Sequence, residues 1–231
     1  MMRRWIGTGM ITVLAVTAFP GGTSFHALRA QSSEPGNGEP IPLGTMTDER
    51  AARAPFGPGE ELSYKVKLGV LDVGEGHMRV EGIEEVRGHP TYHVQMGLDA
   101  SMGFGLAKVN DRYDSWLDTR MLVSRRFVRD INEPGYSSKR IFDIYPEEKR
   151  WERADADKSG QSLSPLVLDE ISFLYFLRTL RLEVGQEYTF DRYFKEEGNP
   201  VKVRVLRRQR IEVPAGTFDA IVVQPIIQTD G

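Results

Sequence analysis

From Pro55 onward the apolar residues of this chain recur at every second position, and that rhythm limits what it can fold into. In Glu60–Leu68, Leu62, Tyr64, Val66 and Leu68 alternate with Glu61, Ser63, Lys65 and Lys67. Successive side chains of a strand point to opposite faces, so this is a strand with one wet face and one dry face. Val73–Glu81 sends Gly74, Gly76, Met78 and Val80 to one face, and Thr91–Ala100 does the same with Tyr92, Val94, Met96, Leu98 and Ala100. Further strands are predicted over 109–118, 122–130, 137–145, 149–153, 187–194, 201–211 and 218–228. Arg87-Gly88-His89-Pro90, Asn132-Glu133-Pro134-Gly135, Pro146-Glu147-Glu148 and Val213-Pro214-Ala215-Gly216-Thr217 are the turn signals between them. One-sided alternation favours antiparallel pairing, because parallel strands buried on both faces read as continuous apolar runs. Roughly ten short strands in one sheet must curl or close on themselves. The expected fold is all-β: a strongly curved antiparallel sheet or incomplete barrel with one covering helix. A two-sheet β-sandwich is the alternative.

The covering helix is predicted over Asp169–Leu180. Asp169 can cap it, and Ile171, Phe173, Leu174, Tyr175, Phe176, Leu177 and Leu180 make it apolar on nearly every side. A helix of that kind is buried or covers something apolar.

Before Pro55 the rhythm is absent. Residues 1–30 carry Arg3 and Arg4, an uncharged stretch from Ile6 to Phe19, and small residues up to Ala30. That is the layout of a secretory signal peptide cleaved after Ala30, with an apolar run shorter than the roughly 20 residues of a membrane span. Residues 31–54, rich in Ser, Pro, Gly, Glu and Arg, are expected to be a flexible tether. Residues 55–231 form the β domain. The expected location is the periplasm or cell envelope, with no transmembrane span in the mature chain. The 231 residues include no cysteine, which excludes disulfide scaffolds, thiolate metal sites and a lipoprotein anchor. Loss of Arg3, Arg4 and Arg29 with the leader leaves 27 basic residues against 33 acidic ones. Such a balance offers no footprint for nucleic acid.

Catalytic and cofactor motifs are absent. The chain has no Gly-x-Ser-x-Gly, His-Glu-x-x-His or phosphate-loop pattern. No catalytic residue, metal ligand or cofactor is expected. His89 falls in a turn; His77 and His93 fall on wet strand faces and are expected to be solvated. In Val109–Asp118, alternation places Asp111, Tyr113 and Ser115 on the core face, where a carboxylate must find an Arg, a Tyr hydroxyl or backbone N–H groups. Arg112, Asp114 and Trp116 take the other face. Tyr64, Tyr92, Asp111, Tyr113, Phe173 and Tyr175 are the candidate ligand-binding residues, with Asp111 as polar anchor in an aromatic interior. Lys202, Arg204, Arg208 and Arg210 are assigned to one face of a late strand and Arg207 to the other.

Four segments together carry a family resemblance. They are Pro55-Phe56-x-x-Gly59-Glu60-x-Leu62-x-Tyr64-x-Val66, Asp111-Arg112-Tyr113-x-Ser115, Asp169-x-x-Ser172-Phe173-Leu174-Tyr175-Phe176-Leu177-Arg178 and Val213-Pro214-Ala215-Gly216-Thr217-Phe218. In this order and spacing the chain resembles the bacterial domain of unknown function 3108. The resemblance implies an exported envelope protein with a curved antiparallel β fold and no established activity. It also implies a further strand or two beyond Gly231, so the domain is expected to be C-terminally incomplete, with 218–228 as an unpaired edge. The expected function is non-enzymatic binding of an apolar or amphiphilic ligand, a lipid or lipid-linked glycan. The alternatives are an assembly factor that binds an envelope protein partner through an edge strand, and a carboxylate-dependent hydrolase.

Overall fold

The computed structural model describes residues 13–15, 54–68, 71–102, 107–213 and 215–227. Apart from Val13–Ala15, the predicted leader lies outside the described residues, as do the tether up to residue 53 and the last four residues. The chain divides into two compact units. The larger one holds an eight-stranded sheet. Its strands are β2 (Glu61–Leu68), β3 (Leu71–Val86), β4 (His89–Met102), β5 (Ala107–Asp118), β6 (Ser124–Glu133), β7 (Tyr136–Tyr145), β8 (Arg150–Arg153) and β9 (Ser159–Gln161).

Each strand pairs antiparallel with its sequence neighbours, and β2 and β9 are the two edges. The expected curved, unclosed antiparallel sheet with one helix is therefore the observed architecture. Register shifts at Val66/Lys67, Val80/Gly82 and Trp116/Leu117 insert extra residues that bend strands and raise local twist. The β3–β4 turn is tighter than expected. Arg87 and Gly88 alone form it, both at positive φ, while His89 and Pro90 already pair with Val86 and Glu85. Such two-residue turns match the twist of the strands they join.

The helix α1 (Glu170–Leu177) ends three residues short of expectation but carries the predicted cap. Asp169 is fully buried. One carboxylate oxygen accepts the backbone N–H groups of Ile171 and Ser172 at 2.9 Å. The other accepts the hydroxyls of Ser115 on β5 at 2.6 Å and Ser124 on β6 at 2.7 Å. The Ser124 and Ser172 hydroxyls bond each other at 2.6 Å, and both accept the Asp169 N–H. Burial pushes the Asp169 carboxyl upward, and the hydrogen bonds from Ser115, Ser124 and the helix N–H groups oppose that push. Beside this knot, Arg125 and Asp118 form a buried ion pair at 2.6 Å that fixes the β5–β6 connection.

At the other end of α1, Arg178 makes two hydrogen bonds to the Glu60 carboxylate, at 2.8 and 2.6 Å, and one to the Pro55 carbonyl. Phe56 is buried edge-on against Tyr175 and Tyr92, at centroid distances of 4.9 and 5.5 Å.

The smaller unit holds a sheet in the order β1 (Val13–Ala15), β12 (Gly216–Ile227), β11 (Val201–Val213), β10 (Glu187–Phe190). The expected open edge of 218–228 is thus occupied at Ile221, Val222 and Val223 by β1. One face assignment is corrected. Leu206 is an unpaired bulge in β11, with Val205 opposite Val223 and Arg207 opposite Val222. An extra residue reverses every later side chain. Arg208 and Arg210 therefore leave the face of Lys202 and Arg204, and Arg207 joins it.

Replacing Asp169 removes a cap, worth typically about 1 kcal/mol, and strands buried hydroxyl and N–H groups at about 1–3 kcal/mol. Asp169→Ala is expected to lower the unfolding free energy by about 3 kcal/mol in urea titrations. Asp169→Asn, which keeps one acceptor, is expected to lose less.

Candidate functional site: a cationic cleft on an aromatic floor

The residues singled out from the sequence fall into three groups. Tyr92 and Tyr175 meet through Phe56, and the fully buried Tyr175 hydroxyl has no hydrogen-bond partner. Tyr64 stands near them, its hydroxyl on the Met78 sulfur at 3.8 Å. Burial raises the Tyr64, Tyr92 and Tyr175 hydroxyls above their usual value. Phe173 packs edge-on against Phe190 at 5.6 Å. Tyr113 stacks on Phe127 at 6.4 Å, under the Arg129 guanidinium. Asp111 is buried and accepts the Asn132 N–H at 2.9 Å, the backbone partner that a core carboxylate needs. The structure brings Tyr64, Tyr92 and Tyr175 to one end of the helix and keeps Asp111 and Tyr113 apart from them.

One histidine on the wet face of β4 differs from expectation. His93 is not solvated. Its two ring nitrogens lie 2.9 Å from Glu84 and 2.9 Å from Asp114, and its ring stacks on Trp116 at 4.6 Å. Trp116 donates to the second Glu84 oxygen at 2.7 Å. The Asp114 hydrogen bond is the main cause that raises His93 above its ordinary value. Burial works to raise Asp114, but hydrogen bonds from His93, Arg112 and Gln95 outweigh it and hold the carboxyl at about 2. His77 instead lies across Gly97. Among the described residues no group of three or more His, Asp or Glu could hold a metal ion.

A site that the sequence did not announce lies farther along the sheet. Arg140 and Phe142 of β7, Trp151 and Arg153 of β8, Lys158 to Gln161, and Lys195 to Glu197 line a cleft of about 370 Å³. Its floor is aromatic. Phe142, Trp151 and Phe194 are buried and in mutual edge contact, with centroids 5.1–6.0 Å apart. Gly160 lets the floor close: a Cβ there would sit 2.6 Å from Cζ2 of Trp151 and 2.9 Å from its Nε1. The buried Trp151 N–H has no hydrogen-bond partner.

The rim is charged. Arg153 is taken by Asp155, whose carboxyl it holds at about 2. Among the described residues no carboxylate lies at ion-pair distance from Arg140, Lys158 or Lys195. Arg140 faces Arg129 directly across the β6–β7 pair. Like charges in that position repel. The loop that carries Lys195 is fixed at several points. Asn199 Nδ2 donates to the Tyr193 and Lys195 carbonyls at 3.0 and 2.7 Å, and Ser162 donates to the Phe194 carbonyl at 2.5 Å. Glu170, at the start of α1, accepts the Tyr193 hydroxyl at 3.0 Å, and its other oxygen is buried without a partner. Glu196 and Glu197 also line the cleft but pair with none of these three cations. Cations outside ion pairs, above apolar ring surface, form an environment that recognises an anion attached to something apolar.

Comparison with known proteins fixes the family but not the role of this cleft. The family model described as a protein of unknown function, DUF3108, matches residues 63–231. The chain belongs to the DUF3108 family. No curated protein and no solved structure matches it. The DUF3108 match covers β3 to β9, the helix and the cleft loop, so all the residues named for the cleft lie within the family's own region. Among the described residues of this DUF3108 chain, no helix is long and apolar enough to cross a membrane.

Two outcomes follow from this geometry. A methyl group at residue 160 must displace the indole, so Gly160→Ala is expected to lose about 1–3 kcal/mol of stability and to shift Trp fluorescence, read by denaturant unfolding. The raised His93 contributes stability that is complete below its unfolded value of about 6.5 and is lost as pH rises through the higher folded value. The lowered Asp114 and Glu84 contribute above about pH 4 and lose that contribution as pH falls through their depressed values. The stability lost in His93→Gln is therefore expected to be greatest between about pH 5 and 6.5 and to shrink towards pH 8.5.

Proposed function

We propose that this chain is an exported envelope protein that binds an amphiphilic ligand without turning it over, seating the ligand's anionic headgroup in the cleft. The supporting observation is the set of three cations, Arg140, Lys158 and Lys195, that lack acidic partners beside an aromatic floor. Buried aromatic surface favours the apolar or glycan part next to the headgroup, and the cations supply charge-assisted hydrogen bonds to its oxygens. A volume of about 370 Å³ sits at the small end of ligand pockets, which suits a headgroup with its chain left outside. A lipid or a lipid-linked glycan meets these requirements. The secretory layout of residues 1–30 supports an address where such molecules occur.

Titration of the mature chain with dihexanoyl phosphatidic acid, followed by calorimetry, tests the reading. Saturable binding is expected, at least tenfold tighter than for dihexanoyl phosphatidylcholine and weakened by salt. Lys195→Glu, with its fold checked by thermal melting, is expected to abolish the preference. Equal affinity for the two lipids, or an unaffected variant, would overturn it.

A further inference from the structure

We propose that Lys195 is an amine nucleophile that captures anionic aldehydes, forming a reversible imine at the floor of the cleft. The proposal rests on the anion-binding reading of that cleft and adds a covalent step to it.

The geometry around Nζ is unusual for a lysine. It lies 4.5 Å from the centroid of Phe142, 5.0 Å from Phe194 and 5.6 Å from Trp151. Rings on that side displace the water that an ammonium group needs. The charged groups that act on it come from four elements: Glu170 from α1, Arg129 from β6, Arg140 from β7, and Lys158 from the β8–β9 turn. Three are cations, and the Glu170 carboxylate already accepts the Tyr193 hydroxyl on one oxygen; Glu196 and Glu197, next along the loop, also line the cleft. Burial pushes the amine below its ordinary value; Glu170 pulls against it, and Arg140, Lys158 and Arg129 add smaller pushes in the same direction as burial. Ring faces attract a cation and oppose the same trend. A desolvated lysine beside other cations is the arrangement that makes an amine nucleophilic at neutral pH.

The rest of the cleft supplies what such an amine needs. Arg140 and Lys158 can hold an anionic group on the incoming molecule while its carbonyl carbon reaches Nζ. The nitrogen lone pair attacks that carbon and a C–N bond forms. The carbonyl oxygen then leaves as water with the two amine hydrogens, and a C=N bond remains. No oxidant or reductant is consumed, and water reverses the reaction.

Pyridoxal 5′-phosphate is a suitable probe, since it joins an aldehyde to a phosphate. The mature chain is incubated with it near pH 7.5, the adducts are reduced with cyanoborohydride, and the labelled peptides are mapped by mass spectrometry. Lys195 is expected to be labelled at least tenfold faster than Lys139, Lys149 or Lys158. Pyridoxal, which lacks the phosphate, is expected to label it about tenfold more slowly, and inorganic phosphate is expected to compete with the phosphorylated probe. Lys195→Arg, which keeps the charge but has no amine to form the imine, is expected to lose the selective label while its thermal melting temperature stays unchanged. Even labelling of all lysines, with phosphatidic acid binding intact, would overturn this proposal alone. Equal rates with pyridoxal and its phosphate would overturn the anion requirement of both readings.

Discussion

One carboxylate holds the larger unit together. Asp169 has no exposure to water, and its two oxygens divide their work between the helix N-terminus and the hydroxyls of two neighbouring strands. A buried acid is costly unless its hydrogen-bonding capacity is met, and four donors meet it here. Without that satisfied knot, an eight-residue helix would have little reason to form, since short helices draw their stability from packing rather than from propensity. The helix in turn sets the chain that follows. Leu168 and Tyr193 pair as an isolated bridge, and Arg192 donates to the Leu166 and Leu122 carbonyls. The loop bearing Lys195 is thus placed by bonds that lead back to Asp169.

Much of this was legible in the alternation of β2, β4 and β5, because a side-chain period of two leaves one reading of which face is dry. Asp111 shows how far that logic reaches: its burial and its need for a hydrogen-bond partner follow from the strand pattern, and the structure supplies the Asn132 N–H. The logic stops at bulges. No local signal marks Leu206 as an extra residue, and a single unpaired position moves Arg208 and Arg210 to the other face. His93 was misread because two carboxylates close on it from separate positions, Glu84 on one strand and Asp114 on another.

The cleft was illegible for a related reason. Arg140, Lys158 and Lys195 each look like ordinary solvated charges in their own segments, and only the register of β7 to β9 with the 191–200 loop gathers them. Phe142, Trp151 and Phe194 sit in three separate segments whose alternation is weaker than that around Tyr64 and Tyr92, so nothing local marks them as one cluster. What sets the second cluster apart is its company. Facing arginines, an unpartnered indole N–H and a cation over three rings meet at this one place. Such departures collect where a protein holds something other than itself.

The clamp between Arg178 and the Pro55–Glu60 segment bears on mechanics. A pull applied at residue 54 meets the Phe56 ring and the two Glu60 hydrogen bonds before it reaches the first hydrogen bond of β2. The ion pair is mostly buried, so salt would screen it little. Tension arriving from the N-terminal side is passed to the end of the helix rather than to an edge strand that could peel one bond at a time. The entry to the fold works as a strain relief: the chain upstream can be tugged while the sheet stays zipped.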